Sequence, residues 1–394
     1  MNPTKFSRHV TNINPGVSTF GILAKVKDLE RAGKRVIDMG IGEPDMDTPE
    51  PIKEAALKAL NEGKTHYSPS VGIPELREAI AEYETARKRV PIKPGEVVVM
   101  PGGKPVLLYM LLALVDEGDE VIYFEPAWGS YKAMIEMMLA RPVPIRTSEA
   151  EGWSLKPSAL ADRITERTRI VIINSPNNPT SAVISLRELE EIAEILRRHP
   201  QVFVLSDDVY STLVYEGAEH HSILSMPDMK ERTVVMESFS KVFAMTGWRL
   251  GYGIFPEFMV KEVVNLVSNT MSCANTFVQH AGVAALREGL PEMERLRRIF
   301  QARRDLIVKL LRDIEGISFV EPRGAFYALT NISSTGMGSE AFSDYLLSEH
   351  GVATVPGTSF GEAGEGYIRF SFATSLENIE EGIARFRNAV EGKI

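Results

Sequence analysis

Cysteine is nearly absent from these 394 residues: Cys273 stands alone, so no internal disulfide can form and a reducing, cytoplasmic setting is expected. Cys273 itself reads as a packed small hydrophobe. Positive charge is also scarce. The 44 Lys and Arg are outnumbered by 53 Asp and Glu, a formal net charge of −9, which argues against general affinity for nucleic acid or an anionic membrane. No apolar run approaches the roughly 18 residues of a membrane span. The stretch Met1 to Phe20 is polar and lacks an apolar core of signal-peptide length. The seven histidines show no metal-ligand spacing, so no metal is expected. Repeats, low-complexity tracts and long Gly/Ser linkers are missing too, which leaves domain boundaries to pattern alone.

What is present is an ordinary globular composition, 44% apolar and 25% charged, in a chain long enough for two packed domains. From about residue 95 to 255, strand-length apolar runs alternate with helical stretches. The runs are Val97–Met100, Glu120–Phe124, Ile170–Ile173, Val202–Leu205, Val234–Met236 and Leu250–Phe255. Pro105–Val115 and Leu186–Arg198 read as amphipathic helices between them. This alternation predicts βαβ units around a buried parallel sheet. The C-terminal part differs. A long charged helix over Arg287–Leu311, short strands around Phe319–Leu329 and Tyr367–Phe372, and a helix from Leu376 predict a smaller α+β domain. A helix around Phe20–Ala32 is expected to pack with it.

Open α/β sheets carry their chemistry just beyond the carboxyl ends of the strands. Five of the runs end in unusual clusters: Gly102-Gly103-Lys104, Glu125-Pro126-Ala127-Trp128, Asn174 to Thr180, Ser206 to Tyr210, and Glu237 to Lys241 with Arg249 beyond. Two glycines at a helix start expose backbone N–H groups to an anion. Ser238, Ser240 and Arg249 add donors suited to a phosphate, and Trp128 offers a flat face for an aromatic ring. Asp207 supplies a carboxylate, Tyr210 and Asn178 supply donors, and Lys241 supplies an amine. Phosphate, ring, ring nitrogen, phenolic oxygen and aldehyde together describe pyridoxal phosphate.

Each residue has a plainer reading in isolation. Lys241 alone would be a solvated surface lysine, Asp207 a helix cap, Gly102-Gly103 a turn and Trp128 a core residue. Arg369 would be a surface strand arginine, but Tyr367, Arg369 and Ser371 alternate onto one polar strand face. The conjunction favours chemistry.

Taken together, GEPDMDTP (42–49), HYSPSVGIPELREAI (66–80), PGGK (101–104), SPNNPT (175–180), SDDVY (206–210), SFSKVFAMTGWRLGY (238–252), GAFY (324–327) and YIRFSFAT (367–374) make the chain resemble class I, fold type I aminotransferases of the aspartate and aromatic group, from about Gly21 to Ala389. The resemblance implies an α/β fold: a large domain with a mainly parallel seven-stranded sheet, and a smaller α+β domain made from both chain ends. On that pattern residues 1–45 join the small domain and dimer arm, 46–290 form the cofactor domain and 291–394 the small domain.

The resemblance also assigns roles. Lys241 matches the Schiff-base lysine that moves the substrate Cα proton, and Asp207 the partner of the ring nitrogen. Asn178 and Tyr210 match the partners of the ring oxygen, and Trp128 the stacking aromatic. Gly103, Lys104, Ser238, Ser240 and Arg249 match the phosphate cup, joined by Tyr67 from a neighbouring subunit of a homodimer. Arg369, with Gly42 and Asn178, matches the grip on the substrate carboxylate. The implied activity is ping-pong transfer from an L-amino acid to a 2-oxo acid, and the Asn178-Pro179 bond is expected to be cis.

Three positions depart from the common pattern: Ser181 for glycine, Asp208 for glutamate, and Pro105 after the GGK motif. Substrate choice is divided. Lys104 matches a lysine proposed in some bacterial relatives to meet a distal carboxylate, which points to aspartate or glutamate with 2-oxoglutarate. Against it, Asn14 in Asn14–Ser18 replaces a lysine, and 268–277 holds no arginine clamp. Aromatic or neutral amino acids remain an alternative, as does a β- or γ-lyase or synthase on the same scaffold. A regulatory protein is disfavoured, since about 20 residues precede the matched region and the charge is negative.

Overall fold

The computed structural model of the chain describes residues 6–13 and 19–393. Its strands, in chain order, are β1 (Ile37–Asp38), β2 (Val97–Met100), β3 (Glu120–Glu125), β4 (Arg141–Arg146), β5 (Thr168–Asn174), β6 (Phe203–Asp207), β7 (Thr233–Ser238) and β8 (Gly251–Ile254). They continue as β9 (Ser318–Phe319), β10 (Tyr327–Asn331), β11 (Val352–Ala353), β12 (Val355–Pro356) and β13 (Tyr367–Ser371). Seven strands form the main sheet in the order β2-β8-β7-β6-β5-β3-β4. All its pairings are parallel except those of β8, which runs against both β2 and β7.

The central strands are apolar on both faces because helices cover both. Within β5, Ile170 and Ile172 pack with Met110 and Tyr131, whereas Val171 and Ile173 pack with Leu189 and Ile192. That is the two-residue strand period, read by two different layers. Helix Leu186–Arg197 buries one face, Leu189, Ile192, Ala193, Ile195 and Leu196, and starts with a capping box between Ser185 and Glu188.

Three expectations need correction. β4 was missed because its sequence RPVPIR carries Pro142 and Pro144, but as an edge strand it tolerates them. Helix Lys104–Leu114 carries apolar residues on every face rather than an amphipathic pattern: Val106, Leu107, Tyr109, Met110 and Leu111 are buried, while Leu112 is exposed. The charged helix read over Arg287–Leu311 is there but starts later, as Leu290–Arg312 after Gly289 with Pro291 in its first turn, because Arg287 ends the preceding helix.

The second layer is a four-stranded antiparallel sheet, β12-β13-β10-β9. Short β1 pairs in parallel with β11, so the N-terminal stretch joins the C-terminal part. Helix Thr19–Arg31 lays Ile22 and Val26 on Leu347, Ala353, Val355 and Phe360. Among the described residues no helix is long and apolar enough to cross a membrane.

Candidate active site

β2, β3, β5, β6 and β7 all point their carboxyl ends at the same rim, and the five sequence clusters lie there. Gly102 adopts φ +90°, and a Cβ on it would sit 2.5 Å from Arg249 Nη2. A Cβ on Gly251 would lie 2.5 Å from Gly102 C and 2.7 Å from Gly103 N. Only glycines therefore let this turn lie so close to β8, leaving Gly103 as the cap of the helix that Lys104 starts. Pro105 falls in that first turn, where it costs no hydrogen bond. Ser238 Oγ donates to Ser240 Oγ at 2.9 Å and accepts from the Ser240 amide at 3.2 Å.

Asp207 ends β6 and is buried; its carboxylate accepts a hydrogen bond from the Tyr131 hydroxyl. Burial pushes Asp207 up to about 7 despite that bond. Lys241 lies in the short helix Phe239–Val242 and donates to the Gly42 carbonyl. Burial, then the nearby cations Arg369 and Arg249, push its amine down to about 8 against the pull of Glu43. Trp128 packs edge-on to Tyr131, with Lys104 Nζ 4.9 Å from its ring centroid.

Arg369 is 3% exposed and projects from β13. Its Nη1 donates to Asn178 Oδ1 at 2.9 Å and its Nη2 to the Gly40 carbonyl at 2.6 Å. The rings of Tyr327 and Phe360 lie 4.3 and 4.9 Å from its guanidinium, and Nε is buried without a partner. Asn178 is fixed through its amide, which donates to Asn174 Oδ1 at 2.9 Å, and the Asn178–Pro179 bond is cis. The Tyr210 and Tyr327 hydroxyls meet at 2.7 Å. Tyr67 stands apart, 89% exposed and without a hydrogen bond to these residues. Asn14–Ser18, whose asparagine bears on substrate choice, lies outside the described residues.

Sequence reasoning assigned no role to Tyr131, Tyr327 or Asn174. Tyr131 was detectable as one helical turn beyond Trp128, and Tyr327 ends the GAFY motif. Ser181 is a departure with a visible consequence. It holds φ +56°, where glycine is at ease, and its Oγ accepts from the Tyr327 amide at 3.2 Å. Ser181→Ala keeps the strained backbone and loses the acceptor, so it is expected to destabilise by about 1–2 kcal/mol. Ser181→Gly relieves the backbone and should stay within about 1 kcal/mol of the parent. Urea unfolding separates them; equal losses would mean that the backbone carries no strain.

Asp208, the other departure, sits on the far side of the same strand end. Lys88 Nζ is 2.5 Å from its Oδ2, and Ser206 Oγ donates to its Oδ1 at 2.6 Å. Arg87 meanwhile reaches Glu237 at 2.8 Å. This buried cluster ties helix Pro74–Lys88 to the residues beside Asp207 and Ser238. Burial opposes the charge on Asp208, but Lys88 and His220 hold it below the usual carboxylate range. Burial pushes Glu237 up, helped by Glu84 and opposed by Arg87 and Lys88.

The cleft is thus rich in cations that no carboxylate pairs directly. Lys104, Lys241, Arg249 and Arg369 form no ion pair with any carboxylate among the described residues, although Asp207 sits between them in the sequence. A phosphate and a substrate carboxylate would complete that balance, and glycine turns, Trp128 and Asp207 suit a phosphorylated pyridine ring. No group of three or more His, Cys, Asp or Glu among the described residues is placed to hold a metal.

Comparison with known proteins agrees. The profile described as "Aminotransferase class I and II" matches residues 34–386. An aspartate aminotransferase of Pyrococcus horikoshii is 42% identical over 375 residues, 94% of this chain and 95% of that protein. Aromatic-amino-acid aminotransferase 2 of Thermococcus litoralis is 40% identical, covering 94% and 96%. The aspartate aminotransferase of Thermus thermophilus, solved with maleate, superposes with a TM-score of 0.93 at 38% identity, covering 98% of this chain and 99% of that one. Fold, cleft chemistry and kinship converge: the chain belongs to the class I and II aminotransferases and is an enzyme that transfers amino groups with pyridoxal phosphate as cofactor.

Proposed function

We propose that Lys241 holds the cofactor covalently and moves the proton at the substrate Cα, and that Arg369 binds the α-carboxylate with Asn178 and Gly42. The observation that carries this reading is the set of cations without carboxylate partners around the cleft. Gly103, Lys104, Ser238, Ser240 and Arg249 surround the phosphate. Trp128 covers the ring face, Asp207 backed by Tyr131 meets the ring nitrogen, and Asn178 and Tyr210 meet the ring oxygen. When bound, the cofactor supplies an electron-accepting ring that makes the Cα proton acidic. An amine pushed down to about 8 suits Lys241 to take and return that proton near neutral pH. Asp207, raised by burial, favours its ionised form once a cationic nitrogen stands beside it.

The exposed Tyr67, with Leu57 and Leu60 exposed nearby in sequence, supports a homodimer in which Tyr67 reaches the neighbouring phosphate. A cytoplasmic location accords with the single cysteine.

For the side chain we read aspartate or glutamate, with 2-oxoglutarate as the partner acid. Lys104 is a cation without a carboxylate beside Trp128, and maleate, the molecule in the Thermus structure, is a four-carbon dicarboxylate. A preference for aromatic amino acids is the competing reading, supported by the Thermococcus relative. The test follows the bound cofactor's absorbance as single amino acids convert it. Aspartate and glutamate should act at lower concentration than phenylalanine, methionine or alanine. Lys104→Gln should shrink that preference by about fivefold, since Lys104 is exposed and one such charge contact contributes about 1 kcal/mol. Phenylalanine acting at the lowest concentration would establish the aromatic reading instead.

A further inference from the structure

We propose that Tyr327 is a positioning residue that ties the ring-oxygen tyrosine, Tyr210, to the carboxylate arginine, Arg369, so that cofactor and substrate are held by one connected unit. The inference rests on the roles given above to Tyr210 and Arg369. Its basis is the set of contacts that one side chain makes at once.

Strand register puts Tyr327 opposite Ser371 and Leu329 opposite Arg369. Tyr327 and Arg369 are therefore diagonal neighbours on one sheet face, the separation at which an aromatic ring can reach a long side chain. The ring lies 4.3 Å from the guanidinium, inside cation–π range, and helps Arg369 stay charged while buried. At its far end, the Tyr327 hydroxyl meets that of Tyr210 at 2.7 Å. The two rings also meet edge to face, with centroids 5.8 Å apart.

Two further contacts hold the residue, one at its hydroxyl and one at its backbone. A Cβ on Gly42 would come within 2.5 Å of its oxygen and 3.3 Å of Cζ, so the hydroxyl lies directly against the Gly42 backbone. The Gly42 carbonyl, in turn, accepts from Lys241. From behind, the Tyr327 amide donates to Ser181 Oγ at 3.2 Å, a bond that glycine at 181 would not offer. Burial keeps the Tyr327 phenol protonated. Either hydroxyl is able to donate across the 2.7 Å contact. Once Tyr210 donates to a ring oxygen, Tyr327 becomes the donor to Tyr210 and strengthens that bond through the chain.

The hydroxyl and the ring therefore have separable effects. Tyr327→Phe removes the hydroxyl and keeps the face under Arg369. Tyr327→Leu removes both. The measurement is the pH midpoint of the bound cofactor's absorbance change, together with the dissociation constant of an unreactive carboxylate ligand such as maleate and the thermal midpoint of each holoenzyme. Losing the hydroxyl weakens Tyr210's hold on the anionic ring oxygen, so the form bearing that anion is disfavoured and the midpoint rises. We expect a rise of about 0.5 pH unit in Tyr327→Phe, from a hydrogen bond one step removed, with maleate binding within about twofold of the parent. Tyr327→Leu should show the same rise and bind maleate about five- to tenfold more weakly, the size of a desolvated cation–π contact.

Tyr210→Phe is measured alongside. If it raises the midpoint and Tyr327→Phe does not, Tyr327 is only a core residue and the proposal falls, while the reading of Tyr210 stands. If neither variant moves it, the role of Tyr210 falls and takes the proposal with it. Because phenylalanine fills the same space, the hydroxyl test holds even if Tyr327→Leu folds poorly.

Discussion

Replacing Lys241 by methionine should lower amino transfer by at least about 10⁴-fold, because in the proposed role one amine serves as both nucleophile and proton carrier. The same substitution should make the cofactor-free protein more stable at neutral pH. Lys241 titrates near 8 in the folded chain, against an ordinary value of 10.5. Below pH 8 both states carry the proton, and the folded state bears the full cost of a buried ammonium. Between about 8 and 10.5 the unfolded chain binds more protons than the folded one, so stability rises with pH in that window. Above 10.5 both amines are neutral and the cost has gone. A shift of this size corresponds to about 3 kcal/mol. The side chain is partly open to the cleft, so a gain of about 1–2 kcal/mol for Lys241→Met below pH 8 is the discounted expectation. Urea unfolding of the two apo-proteins at pH 7 and pH 10.5 reads it directly. Equal stability at both values would show that the amine is well solvated in its cleft, and the argument for its lowered pKa would fail.

The parts of this site that could be read from sequence are those where local pattern decides. β2, β5, β6 and β7 are short apolar runs with a turn behind them, and in a parallel sheet the residue after such a run has only one place to be. Lys241, Asp207 and Gly103 follow from that. Strand order does not: nothing local tells β8 to run antiparallel between β2 and β7. Helix Pro74–Lys88 shows how burial of charge escapes local pattern. Nothing in its ELREAIAEYETARK run singles out Glu84 and Lys88, yet both are buried because Asp208 and Glu237 arrive from distant strands to meet them. Local pattern marks the positions of Tyr131 and Tyr327, but their roles are hidden for the same reason. Their partners, Asp207 and Tyr210, lie 76 and 117 residues away, and only the fold brings them to hydrogen-bond distance.

Arg369 offers the second large effect, and it tests whether the cleft sacrifices stability for binding. The guanidinium is buried between Tyr327 and Phe360, with two bonds to neutral acceptors and no carboxylate. Burial lowers its affinity for its own proton, against the pull of the Tyr327 and Tyr210 phenols and of Asp38, and it remains charged. A buried cation without an anion is a cost that an incoming carboxylate removes, and a planar fork meets that carboxylate with two parallel bonds. Arg369→Lys supplies the charge as a single point, so KM for the amino acid should rise about 100-fold while kcat changes little. Arg369→Met removes charge and fork together, and kcat/KM should fall by about 10³- to 10⁴-fold, or 4–5.5 kcal/mol of transition-state binding. The apo-protein should lose little stability in Arg369→Met, since relief of an unpaired buried charge offsets the loss of both ring contacts and of the bonds to the Gly40 and Asn178 oxygens. Steady-state kinetics on each variant, with unfolding of the apo forms, separates the two consequences. A methionine variant that binds amino acids normally would remove Arg369 from the substrate site. One that unfolds several kcal/mol earlier would instead make it a structural arginine, held by Gly40 and Asn178 for the sake of the fold.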